Sequence, residues 1–479
     1  MESFLTVRSL KEKLDKKEIT PAEVLAYYHK RFAAFDGVLE SALEIFDQES
    51  VLAASNSSGA LFGIPGLIKD NIAQENRKLT CASRILENST SPYDATATRR
   101  LKDKGALLIG RANMDEFAMG SSTETSAYAQ TKNPWDITRV PGGSSGGSIA
   151  AVAAGLVPWA LGSETGGSVR QPAAFCGVVG FKPTYGLISR YGLVAYGSSL
   201  DQIGICARTA YDVAIICSAI AGKDSWDSTT LPVEQKDYTQ NLNGVIPQGL
   251  TIGIVDNALY ADGVDAEIVR AIEESVKTYE KLGATVKHIT LPILDYAAAA
   301  YFILSRAEAA SNLARFDGVR YGVRVKDAQN LKQMYEATRH DGFGVEVRTR
   351  IMVGNYVLSA GHAAAYYESA KKVQGLIRRD MMQAFSDVDL LIMPTHPAPA
   401  FKFGAYDDNK LQMDLQDYFT CAMNLAGNPG ISLPCGISKE GLPIGMQLVG
   451  PHLSESLIFQ VADAYQAATE WHKKCPQGY

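Results

Sequence analysis

The chain has 479 residues, 46% of them apolar and 20% charged, with a net charge of −6 at neutral pH. These totals fit a globular protein with room for one large domain or two to three average ones, and they argue against a disordered chain or one that grips nucleic acid by its own charge. Seven scattered cysteines, with no C-x-x-C pair, exclude a disulfide framework or a zinc ribbon and indicate reduced thiols.

Met1-Glu2-Ser3-Phe4 opens no basic region followed by an apolar run, and no apolar run reaches about 18 residues, so a signal peptide and a membrane span are not expected and the cytoplasm is the expected compartment. Residues 1–60 read as helical and peripheral. Thr20-Pro21-Ala22-Glu23 is a capping box with proline at the first helical position. Leu61 to Ile72 reads as a strand and tight turn that places Lys69 in apolar surroundings. The plain reading of Lys69 is a solvated cation paired with Asp70; the functional one is a buried lysine whose pKa falls by desolvation, fit to act as a general base.

Asp94 to Leu101 begins a helix and Ala106 to Gly110 is a buried strand. Asn113 to Glu116 signals a further helix, and Gly120 to Ser126 a loop. Ile149 to Gly155 suits a tightly packed central helix, and Val157 to Leu161 a strand that delivers the Glu164–Ser168 loop. Gly180 to Ser199 reads as irregular. Leu250–Val255, the amphipathic Asp265–Leu282 ended by Gly283, and Ala284–Ile289 form a β-α-β unit. Helical patterns fill 296–384. Leu390–Met393, Ile431–Pro434 and Pro443–Val449 read as strands, and Ser454–Thr469 as a closing helix. The alternation predicts one large α/β domain.

The chemistry concentrates in Pro141–Cys176, where two glycine-flanked serines, Ser144 and Ser168, stand 24 residues apart. Glycines beside a serine let backbone N–H groups approach an anion, so Thr165-Gly166-Gly167-Ser168 reads as an oxyanion cradle ending in a nucleophile; a pair of flexible loops is the plainer alternative. Gly142-Gly143-Ser144-Ser145-Gly146 matches the nucleophile elbow G-x-S-x-G, but Asn133–Pro141 before it lacks the apolar strand that motif requires. Of the seven histidines, His396 is the best candidate for a triad, yet no acid pairs with it and a structural role is preferred. No metal spacing and no phosphate-loop fingerprint occurs. Serine activated by lysine remains.

G-G-S-S-G-G-S, followed 24 residues later by the serine of G-S-E-T-G-G-S-V-R-Q-P, with Lys69 of G-I-P-G-L-I-K-D-N standing 75 residues before Ser144, resembles the amidase signature family. The stretches at 113–124, 189–204 and 424–436 resemble the branch of that family formed by the A subunits of the glutamyl-tRNA(Gln) amidotransferases, and the likeness runs over nearly the whole chain. The resemblance implies one α/β domain over 1–479, a mixed sheet flanked by helices, and a Ser-cisSer-Lys triad. Ser168 would be the nucleophile, Ser144 the bridging serine after a cis peptide, and Lys69 the base. The N–H groups of Thr165, Gly166, Gly167 and Ser168 would hold the oxyanion. Asp417 and Arg350 would bind the ammonium and carboxylate of glutamine; the plainer alternative for both is an ordinary helix-surface charge, against which Asp417 stands alone among apolar Leu415, Tyr418 and Phe419. No cofactor or metal is implied in this chain. A larger tRNA-binding kinase subunit would use ATP and Mg²⁺, a small subunit would wrap this one, and ammonia would pass to the kinase site to amidate glutamyl-tRNA(Gln) or aspartyl-tRNA(Asn). The alternatives are a stand-alone amidase acting on small amides and a non-catalytic anion-binding scaffold.

Overall fold

Among the described residues, short runs of apolar residues bounded by Gly, Pro, Asp and Asn produce eleven strands, and all eleven join one sheet. The computed structural model describes residues 3–479, apart from the side chains of Lys410 and Asp414, so the first two residues of the expected domain lie outside it. The strands are β1 (Ala42–Ile45), β2 (Pro65–Lys69), β3 (Leu107–Ala112), β4 (Trp159–Glu164), β5 (Val179–Lys182), β6 (Gln202–Ala207), β7 (Thr251–Val255), β8 (Thr285–Ile289), β9 (Leu390–Pro394), β10 (Gly430–Ile437) and β11 (Pro443–Val449). Their order is β1-β3-β2-β4-β6-β5-β10-β11-β9-β7-β8. β2 pairs in parallel with β3 and β4, and β7 with β8 and β9; the remaining ladders are antiparallel. The sheet is therefore mixed and flanked by helices, as the resemblance implies.

The site hangs on the β2–β4 pair, which is buried at every residue. Gly66 sits in β2 because a Cβ there would run into the Trp159 ring of β4, and Trp159 is itself wholly buried. Helix Gly146–Ala153 lies against these strands with all eight residues buried. Its small side chains are what the space allows: a Cβ on Gly147 would strike the carbonyls of Ser41 and Asn113. A large apolar core spans the sheet, and a second packs helices Leu294–Asn312, Ser369–Ala384 and Cys421–Ala426 with Leu391 and Met393 of β9, Val255 of β7 and Val449 of β11. Each fully buried Leu, Ile or Phe in these cores contributes about 1.5–3 kcal/mol of transfer free energy.

The Thr20 capping box forms, with Glu23 returning to the Thr20 N–H, and the β-α-β unit appears as β7, helix Ala266–Lys281 and β8. The 296–384 region contains helices Leu294–Asn312, Leu331–Gly342, Val345–Leu358 and Ser369–Ala384. Other expectations are corrected. Residues 1–60 contribute an edge strand, β1, as well as helices. β4 runs to Glu164 rather than ending at Leu161. The helix expected at Asn113–Glu116 is absent: only a short turn at Glu116–Ala118 forms, with Phe117 at φ 51°. There the side chains of Asn113, Asp115 and Glu116 are buried and bond to neighbouring loops, which competes with helix formation.

Candidate active site

Lys69 ends β2 and is completely buried, so the solvated-cation reading is wrong. Its Nζ lies 2.7 Å from Ser144 Oγ, 2.9 Å from Ser145 Oγ and 3.2 Å from the Ser163 carbonyl. Burial pulls its pKa down from 10.5 to about 7, against the opposing attraction of Asp115, Asp201, Cys81 and Glu164. Asp70 takes no part in this. Its carboxylate turns away to Arg111, the Thr80 hydroxyl and the Ala82 N–H. Lys69 thus sits where a lone pair on Nζ can take a proton from Ser144 at neutral pH.

Ser144 follows a cis peptide from Gly143. Gly143 admits no side chain, because a Cβ would fall on the Asp115 carboxylate. Asp115 also donates its N–H to the Ser144 carbonyl at 3.1 Å, while its carboxylate accepts from Thr123 N at 2.9 Å and Thr125 Oγ1 at 2.8 Å. The elbow reading of Gly142–Gly146 fails on the geometry as well as the sequence: a turn, with Gly142 at φ 84°, leads into Ser144, and no strand does.

β4 delivers the second serine. Ser168 is 4% exposed, and its carbonyl accepts from Ser145 N at 3.1 Å, which fastens the loop to the first serine pair. Among the described residues, the N–H groups of Gly166, Gly167 and Ser168 donate to nothing in the chain, so they are available to an anion. The loop is closed from behind by Glu164, which accepts from Val169 N and Arg170 N at 3.0 Å each and pairs with the Arg170 guanidinium at 2.5 Å. Burial would raise the Glu164 pKa, but Arg170 holds it below the usual carboxylate range. Arg170, wholly buried, reaches on to Gln447, the Thr420 carbonyl and Asn424. Thr165 Oγ1 donates to Asp201 at 2.6 Å, and burial pushes that carboxyl up to about 6.

Asp417 and Arg350 are both buried, at 7% and 6% exposed, so the helix-surface reading is wrong for each. A Cβ on Gly167 would stand 2.7 Å from Asp417 Oδ1, and one on Gly166 would meet the Tyr301 ring. Ser121 Oγ donates to Asp417 at 3.4 Å. Arg350, on helix Val345–Leu358, donates to the Tyr196 hydroxyl at 2.9 Å and to Glu346 at 2.7 Å. The Tyr301 phenol is raised by burial and by Tyr196 and Asp417, and it also feels Arg350, so one buried tyrosine adjoins both charges. Asp417 and Tyr301 therefore stand against the glycines of the Ser168 loop, with the Arg350 charge acting on Tyr301 from helix Val345–Leu358.

Sequence reasoning missed Ser145, the second hydroxyl on Lys69, although it is the neighbour of Ser144 in the same motif. It also missed Asp115, Tyr196 and Tyr301, whose contacts join separate elements and leave no mark on local spacing. His396 is buried, its ring nitrogens 2.7 Å from the Ala398 carbonyl and 2.5 Å from Gln416 Oε1, and burial drops its pKa to about 4. That matches the expected structural role.

The amidase family matches residues 23–459. The A subunit of the glutamyl-tRNA(Gln) amidotransferase of Persephonella marina is 50% identical, over 98% of this chain and 99% of its own. The crystal structure of the corresponding A subunit of the glutamyl-tRNA(Gln) amidotransferase from Thermotoga maritima superimposes with a TM-score of 0.82 at 41% identity, covering 96% of this chain and 94% of that one. A peptide amidase from Stenotrophomonas maltophilia shares the fold at a TM-score of 0.80 and 29% identity, with 97% of both chains covered. With the family matched over most of its length and relatives half identical from end to end, the chain belongs to the amidase signature family.

Proposed function

We propose that this chain is the glutamine-hydrolysing subunit of a tRNA-dependent amidotransferase. The observation that carries the reading is the buried Lys69–Ser144 contact beside a glycine loop lined by Tyr301 and Asp417. Neutral Lys69 accepts the proton of Ser144 as Ser144 accepts that of Ser168. The Ser168 oxygen attacks the side-chain carbonyl carbon of glutamine, and the resulting oxyanion is held by the N–H groups of Thr165, Gly166, Gly167 and Ser168. The C–N bond then breaks, and the relay proton returns through Ser144 to the leaving nitrogen, releasing ammonia. Water attacks the acyl-serine by the same relay in reverse, which frees glutamate and restores Ser168. Asp417 pairs with the substrate ammonium and Arg350 with its carboxylate.

The partners belong to the same proposal. A tRNA-binding kinase subunit uses ATP and Mg²⁺ to activate glutamyl-tRNA(Gln), or aspartyl-tRNA(Asn), and receives the ammonia; a small subunit wraps this chain; and the complex works in the cytoplasm. The acidic balance of this chain suits tRNA being gripped elsewhere. Among the described residues no helix is long and apolar enough to cross a membrane. The test is ammonia release from glutamine by the chain recovered with whatever binds it, with and without ATP and glutamyl-tRNA. Release that rises with both ligands supports the coupled amidotransferase. Release from simple amides that ignores both makes the chain a stand-alone amidase.

A further inference from the structure

Asp115 and Glu116 are adjacent in N-M-D-E-F but face opposite ways. Asp115 supports Ser144, as described above. Glu116, 1% exposed, accepts from Gly344 N at 2.8 Å through Oε2 and from the Ser83 hydroxyl through Oε1. Ser83 Oγ also lies 3.2 Å from the Gly342 carbonyl. The short connection Phe343-Gly344 between helices Leu331–Gly342 and Val345–Leu358 is thus tied down at both ends by one Ser–Glu pair. Phe343, between the ties, packs edge-on to Phe117 with ring centroids 5.5 Å apart.

Gly344 is the N-cap of helix Val345–Leu358 and brings no side-chain cap of its own. A Cβ at Gly344 would land on Glu116 Oε2, so the glycine is there to admit the carboxylate. Glu116 thereby does from outside what the third residue of a capping box does from within: it satisfies the N-cap N–H and sets an acid at the positive end of the helix. Burial pushes the Glu116 carboxyl up to about 7, against the pull of Ser83 and Gly344. Oε2 accepts from Gly344 in either protonation state. Six residues further along, about 9 Å of helix rise, the same helix presents Arg350 to Tyr196.

We infer that Glu116 is a positioning residue for substrate recognition: by anchoring the Gly344 end of helix Val345–Leu358 it sets where Arg350 meets the carboxylate of glutamine. The inference rests on the carboxylate-binding role of Arg350 proposed above. Together with Asp115, it makes one dipeptide the joint between the serine relay and the recognition helix.

The test compares Glu116→Ala, Glu116→Gln, Arg350→Ala and the Glu116→Ala/Arg350→Ala pair in the full chain with its co-purifying partners. Substrates are glutamine and 4-aminobutanamide, which is glutamine without its carboxylate. Losing a cap corresponds to about a tenfold rise in KM for glutamine in Glu116→Ala, with kcat little changed. Glu116→Gln, which keeps the acceptor for Gly344, should restore most of the affinity. The double variant should be no worse than Arg350→Ala alone, and KM for 4-aminobutanamide should not respond to Glu116. If Glu116→Ala does not fold, Ser83→Ala removes the other half of the tie and should shift KM for glutamine in the same direction. Equal losses on both substrates, no loss on glutamine, or failure of Glu116→Gln to rescue would each overturn the inference. A normal KM in Arg350→Ala would overturn the Arg350 role and this inference with it, whereas a raised KM there beside a normal one in Glu116→Ala would remove this inference alone.

Discussion

Lys69 shows how one side chain acquires a function from its surroundings. A lysine in water is a cation and no base; wholly buried beside two hydroxyls and a carbonyl, it titrates near 7. In the proposed relay the reactive form is the neutral amine, and the shift is downward, so activity should be present above the shifted value and be lost as pH falls through it. The kcat/KM for glutamine should fall about tenfold per pH unit below roughly 7 and level off above; a profile that bends only near the ordinary lysine value would remove Lys69 as the base. Replacing Lys69 or Ser168 by alanine should lower ammonia release by about a hundredfold or more, and a variant keeping over a few per cent of it would break the relay. That Ser145 also reaches Lys69 could not be read from spacing, since both serines of a G-S-S-G run have the same neighbours in sequence and only the turn into helix Gly146–Ala153 decides which way each hydroxyl points.

At the scale of elements, the Glu164–Arg170 segment is a loop bent around a buried ion pair. Two backbone N–H groups and the guanidinium converge on one carboxylate, and Arg170 continues to Gln447 and Asn424, so the loop is pinned to β11 and to helix Cys421–Ala426. Removing the arginine strands a buried charge: Arg170→Met should destabilise the fold by about 3–5 kcal/mol in urea unfolding, and a variant as stable as the parent would mean the pair carries little of the fold. The glycines of the same loop are set by what stands over them. Gly167→Ala would drive a Cβ into the side chains of Thr420 and Asp417. We expect kcat for glutamine to drop by about a hundredfold with an unchanged far-UV circular dichroism spectrum; near-normal turnover would show that the loop gives way without disturbing the N–H groups.

Across the whole molecule, the sheet order brings distant sequence together. Lys69, Ser144 and Ser168 lie within a hundred residues of one another, on β2 and on the loops around β4, whereas Asp417 and Arg350 arrive from the C-terminal half. Helices of the 296–384 region carry Tyr301, whose ring stands against Gly166 just beyond the end of β4, and Arg350, which reaches Tyr196. In the proposed mechanism the N-terminal half supplies the relay and the C-terminal half the charges that select an amino acid, and the Asp115–Glu116 dipeptide contacts Ser144 in the first and Gly344 in the second.

The sequence by itself determined the strands and helices with strong periodicity, the glycine-serine chemistry and, through the resemblance, the identity of the family. These are local matters, since a run of apolar residues, a capping box or a motif carries its own signal. It did not determine that Asn113–Glu116 would forgo a helix, that β1, β6 and β5, the last reaching into the Gly180–Ser199 stretch read as irregular, would complete the sheet, or that Arg350 and Asp417 would be buried instead of solvated. Nor did it decide where Asp70 and Asp115, both near Lys69 in the fold, would aim their carboxylates. Those outcomes depend on partners that lie apart in the chain, some by a few turns and some by hundreds of residues: Arg111 for Asp70, Thr123 for Asp115, Gly344 for Glu116 and Tyr196 for Arg350. Desolvation and hydrogen-bond satisfaction act on the packed neighbourhood, and only tertiary structure creates that neighbourhood.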